Sequence, residues 1–154
     1  MRSLLDKRSK GKLKVFPWYL WGRTQSLEAP GPKLLTKTFS KRPNFILDPT
    51  DSLFCNGYSI KPRLSDLYSN KININLLKKI LNSDIMLYYT KLTSFQIEGN
   101  YQCYQKNFIE RFGMPILNDK DAERIMKAKN IELTRLLANI YEIKVVDINR
   151  ICLK

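Results

Sequence analysis

The sequence contains no histidine. Serine and cysteine nucleophiles therefore lack their usual general base, and histidine-ligated metal sites are excluded. Cysteine is scarce and scattered: Cys55, Cys103 and Cys152 are odd in number, far apart and without a Cys-x-x-Cys pair. That pattern argues against a disulfide framework and a structural zinc site, and it suits reduced, mostly buried thiols in a cytoplasmic protein. No phosphate loop of the form GxxxxGK[ST] occurs, nor does the dinucleotide fingerprint GxGxxG. An Asn-Pro-Pro-Tyr segment is also missing, and Pro43-Asn44-Phe45 has the wrong order to replace it. No apolar run approaches the roughly 18 residues that a spanning helix requires, and charge follows Met1 too soon for a signal peptide.

Acidic residues are the remaining shortage, and they shift attention to what is present. Lys and Arg number 27 against 14 Asp and Glu, giving a formal net charge of +13. An excess of this size repels itself within a folded domain, and a polyanion relieves that repulsion. The excess is concentrated. Residues 1–63 hold 13 bases and 4 acids, whereas residues 64–154 hold 14 and 10. One basic face is the expectation. At 154 residues, with 44% hydrophobic and 11% aromatic composition, the chain is long enough for one moderate core.

Along the chain, residues 1–14 form a basic leader, with Lys7-Arg8-Ser9-Lys10-Gly11-Lys12 as its densest stretch. Short strands are expected at 15–22, 33–39, 45–47 and 53–60, punctuated by Pro30-Gly31-Pro32, the Asp48-Pro49-Thr50-Asp51 turn and Asn56-Gly57. From Asn73 to Leu92 the apolar spacing becomes helical, with Asn73 or Asn75 as the cap. Asn82 and Ser83 fall in mid-helix, where such side chains commonly bond the backbone of an adjoining loop. Phe95–Tyr104 reads as an aromatic segment turning at Gly99-Asn100. A last helix starting at Asn118 or Asp119 carries Ala122, Ile125, Leu133, Leu136, Leu137 and Ile140 on one stripe. The acids Asp119, Asp121 and Glu123 at its start suit the helix dipole better than catalysis. The fold class expected is α+β: a twisted, mainly antiparallel sheet from the N-terminal half packed with helices from the C-terminal half.

Two segments stand out. Trp18-Tyr19-Leu20-Trp21-Gly22-Arg23-Thr24-Gln25-Ser26-Leu27 joins aromatics to Arg and Gln, whose side chains make bidentate contacts to guanine and adenine edges. The other combines Leu81-Asn82-Ser83 with the aromatic stretch Ser94–Tyr104 and the closing Phe108–Pro115. In this order and spacing the pieces resemble the C-terminal target-recognition (TaqI-like specificity) domain of adenine-specific DNA methyltransferases and type II restriction-modification enzymes. The similarity covers roughly residues 7–115. It implies a recognition domain at 15–117, followed by a C-terminal helical segment at 118–154.

The resemblance implies sequence-specific recognition of double-stranded DNA. The family's methyl-transfer domain, with its S-adenosylmethionine site, has no counterpart in these motifs. Catalysis and cofactor are therefore expected on a partner domain or subunit, not here, with no metal site and no membrane association. Expected phosphate contacts are Lys10, Lys12, Lys14, Lys33, Lys37, Lys41 and Arg42. Expected base-reading side chains are Arg23, Gln25, Tyr101 and Gln102, with a structural Arg23 packed on Trp21 as the competing role. Three other identities fit the same residues: a fragment of a complete methyltransferase, a non-specific basic RNA-binding protein, and a decayed reading frame.

Overall fold

The structure, a computed structural model, describes residues 31–50, 57–61 and 73–152. The expected sites Lys10, Lys12, Lys14, Arg23 and Gln25 lie outside the described residues, as do the basic leader and the expected strand at 15–22.

Helices and two small antiparallel sheets make an α+β fold. In the first sheet β1 (Lys33–Thr36) lies between β3 (Phe45–Asp48) and β4 (Tyr58–Ile60). Its register is set by side-chain alternation. Leu47, Leu34 and Ile60 form one cross-strand row, and Phe45, Thr36 and Tyr58 form the next on the same face. Leu34 and Phe45 are buried in the core, with Leu47 and Ile60 packed against it. Ile46, on the opposite face, stays 55% exposed. Gly57 ends the approach to β4 at φ 144°, and a Cβ there would sit 2.3 Å from the Thr36 carbonyl oxygen. Only glycine fits that crossing.

The second sheet places β6 (Tyr101–Cys103) between β2 (Phe39–Ser40) and β5 (Gln96–Ile97). Two of its strands thus come from the C-terminal half, as the hairpin around Glu98-Gly99-Asn100. Gly99 and Asn100 take φ values of 79° and 63°, the left-handed region these residue types tolerate best.

The helical stretch after Asn73 is two helices, α1 (Ile74–Leu81) and α2 (Asp84–Thr93). Asn73 caps α1 by accepting from the Asn75 and Leu76 amides at 2.9 and 3.2 Å. The break falls at the polar pair that stood out in the sequence. The Asn82 side chain accepts from the Phe45 N–H at 2.7 Å and donates to the Phe45 carbonyl at 2.9 Å. It therefore pairs with β3 as a neighbouring strand would. Ser83 donates its hydroxyl to the Ile80 carbonyl at 2.6 Å.

After the short α3 (Lys106–Ile109) come α4 (Asp119–Lys127), α5 (Asn130–Ile140) and α6 (Val145–Cys152). Asn118 caps α4 through the Asp121 amide at 2.9 Å, and Asp119 and Asp121 occupy its first turn. The expected single terminal helix breaks at Ala128, whose ψ of 147° is extended. Ile125 and Leu137 of its stripe remain fully buried. One core holds Leu34, Phe45, Ile85 and Tyr104 together with Ile125, Leu137 and Ile148, so packing is continuous across the boundary expected at residue 118. Among the described residues no helix is long and apolar enough to cross a membrane.

Candidate nucleic-acid interface

The second sheet positions the exposed polar and aromatic groups of interest. Directly opposed residues of antiparallel strands share a face. Phe39 opposes Cys103, and the Cys103 amide donates to the Phe95 carbonyl at 3.0 Å, which sets Phe95 on the other side of the same cysteine. The Phe39 and Phe95 rings meet edge to face with centroids 6.2 Å apart. Cys103 between them is fully buried. Phe108 from α3 extends the row, 6.0 Å from Phe95.

Tyr101 and Ile97 form the next pair on this face. Carrying the β2 register one residue further sets Lys41 opposite Tyr101, and the Lys41 ammonium lies 5.4 Å from the Tyr101 ring centroid. Gly99 backs the same ring: a Cβ there would already be 3.4 Å from it. Phe95, Ile97 and Tyr101 are 48%, 42% and 40% exposed. Lys37, in the link from β1 to β2, is also exposed. An ammonium and a tyrosine thus stand side by side on one face of the three-stranded sheet, with Phe95 in the next row of that face.

The intervening row points the other way. Gln102 is 2% exposed and donates its amide to the Gln96 side chain at 3.0 Å. Gln102 is therefore a correction to the sequence reading: it is committed to its cross-strand neighbour and withdrawn from a surface ligand, while Tyr101 remains accessible.

Lys33 is a second correction. Its side chain is 3% exposed, its ammonium lies 3.0 Å from Asp48 directly opposite in the ladder, and it also donates to the Thr50 carbonyl at 2.5 Å. A buried ammonium held by two acceptors of its own chain is poorly placed for a phosphate contact. Asp48 is held down at a pKa of about 2, first by the Thr50 hydroxyl, then by Lys33 and the Thr50 amide. Arg42 is intermediate in character. Its guanidinium is 62% exposed but pairs with Asp84, whose other oxygen accepts from the Thr134 hydroxyl at 2.8 Å. Arg42 thus ties the sheet linker to the helices and retains donors for solvent.

Tyr104 is a core residue. It is fully buried, its ring packs edge on against Phe45 at 6.3 Å, and burial pushes its pKa up to about 12.

Sequence reasoning missed Asn100 and Phe95. Asn100 is exposed at the hairpin turn, and Phe95 lies at the centre of the aromatic row between the half-buried Phe39 and Phe108. The Gly99-Asn100 pair announced a turn, yet only the strand pairing shows which side chains flank it. Elsewhere a cleft of about 350 Å³ opens beside Ile60, Leu77, Leu81, Ile109, Phe112 and Met114, with an apolar wall. Among the described residues no three His, Cys, Asp or Glu side chains converge as a metal site.

Neither a protein-family model nor a curated protein sequence matches the chain.

Proposed function

We propose that the chain is a DNA target-recognition module serving an adenine-specific methyltransferase or restriction-modification system. Methyl transfer and S-adenosylmethionine then belong to a partner domain or subunit. The observation that carries this reading is Lys41 set over the exposed Tyr101 on a β-hairpin with Asn100 at its turn. The major groove of B-DNA admits an α-helix or a two-stranded ribbon, so this three-stranded sheet would enter by the turn of its β5–β6 hairpin, where an Asn side chain can pair with adenine N6 and N7. Glu98, exposed in the same turn, suits a cytosine amino group. Lys41, over Tyr101, and the exposed Lys37, in the link before β2, both lie on the β2 side of the sheet and are the cations assigned to phosphates; phosphate contacts set position while base edges set specificity.

The net charge of +13 supplies the long-range attraction. The resemblance to the TaqI-like domain selects duplex DNA among polyanions, and Arg23 and Gln25 are the further base-reading side chains under this reading.

The test is selection of the purified chain on a randomised duplex pool, sequenced at low and moderate salt. A short motif enriched at both salts is the expected result. Binding that collapses with salt and enriches no motif would overturn sequence-specific recognition. Preferential competition by structured RNA would transfer the basic face to an RNA ligand.

A further inference from the structure

The row formed by Phe39, Phe95 and Phe108 has a geometry that groove reading does not use. Its rings contact one another edge to face, at interplanar angles of 65° and 73°. Phe95, at the centre, nevertheless leaves 48% of its surface in water. Ile97 and Tyr101 extend the apolar surface, and Lys41 borders it with a positive charge. Phe95 and Lys41 lie on the same sheet face, two strands apart across β6, so a nucleobase set on the Phe95 ring would direct its phosphate towards the ammonium beside Tyr101. A purely apolar protein partner would have to strip water from Lys41 and offer nothing in exchange, which is costly.

We infer that this surface is a stacking platform for an unpaired nucleobase, with Phe95 as the stacking ring and Lys41 as the contact to the adjoining phosphate. The inference rests on the DNA-binding reading and deepens it. The preferred ligand is DNA with a base already out of the helix, because a paired base must first be unstacked at a cost of a few kcal/mol. Base–aromatic stacking is sequence-tolerant, so the platform adds affinity without adding base preference.

The experiment compares two duplexes of identical sequence, one fully paired and one carrying a single bulged 2-aminopurine. Anisotropy measures the affinity of the full chain, and 2-aminopurine emission reports stacking. The expected result is about tenfold tighter binding of the bulged duplex, with its emission quenched on binding. Phe95→Leu keeps an apolar side chain but removes the π face, and should abolish both the preference and the quench. Equal affinities with unchanged emission would overturn the stacking inference and leave DNA recognition standing. A preference and quench that persist undiminished in Phe95→Leu would overturn the assignment to this ring. Binding to neither duplex would overturn both readings. The emission readout on the unaltered chain keeps the inference testable should the variant fold poorly.

Discussion

Replacing Asn82 by alanine should weaken the fold more than an exposed position between two helices suggests. The Asn82 amide makes two hydrogen bonds to the backbone of Phe45, at 2.7 and 2.9 Å, and Phe45 itself is 1% exposed. Each such bond contributes about 1 kcal/mol net, and the partners left behind have poor access to water. A loss of about 2 kcal/mol follows. Asn82 is the C-cap between two helices, so alanine gains little helix propensity there to offset two bonds. Urea melts followed by circular dichroism should show the full loss, with a thermal midpoint lower by roughly 4–8 °C. Asn82→Asp sharpens the test. The new carboxylate still accepts from the Phe45 N–H but faces the Phe45 carbonyl without a proton to donate. Protonation restores that donor, so the folded-state pKa of the new group is raised above its unfolded value. Its stability deficit against the parent chain should therefore shrink as pH falls from 7 towards 4, while the deficit of Asn82→Ala stays level. A cost below about 0.5 kcal/mol for Asn82→Ala, or a deficit of Asn82→Asp that does not change with pH, would refute the assigned role.

Other expectations follow from the same contacts. The Asp48 carboxyl is depressed from about 3.8 to about 2, so the stability it contributes is present above pH 3.8 and lost as pH falls through 2. Asp48→Asn should flatten the acid limb of the stability profile in that window, read by fluorescence. Lys37→Ala and Lys41→Ala should each lower the slope of log affinity against log salt by about 0.9 on duplex DNA. Lys33→Met should destabilise the fold and leave that slope unchanged, because its ammonium is spent on Asp48 and Thr50; a shallower slope would return Lys33 to the phosphate contacts. Gly57→Ala should cost at least about 2 kcal/mol in denaturant melts, since φ 144° is strained for alanine and the new Cβ meets a backbone oxygen.

The hairpin shows how far local pattern reaches. Gly99-Asn100 marked its turn, since both residue types tolerate positive φ. Tyr101 and Gln102 are neighbours in sequence with similar promise as ligands, yet one is exposed and the other is 2% exposed. Strand alternation sends them to opposite faces, and which face is covered depends on what packs behind. Neither Phe39 nor Phe95 is locally distinguishable from the core residue Phe45. Their positions on either side of Cys103 arise from pairing β2 and β5 with β6.

What the sequence determined by itself is local or global. Composition carries the +13 charge and the absence of histidine, and no fold can alter either. The α+β class, a cap at Asn73 or Asn75, a helix start at Asn118 or Asp119 and the apolar stripe through Ile125 and Leu137 follow from short-range spacing, because turns, caps and amphipathic faces are built from residues a few positions apart. Only tertiary structure decided which cations are free. Lys33 and Lys37 sit four residues apart with the same chemistry, but register sets Lys33 against Asp48, a partner 15 positions away, and leaves Lys37 in solvent. Asn82 likewise breaks the helix because Phe45, 37 positions earlier, presents an N–H and a carbonyl to its amide. Pairings of that separation are selected by the packing of the whole domain, and no local pattern encodes them.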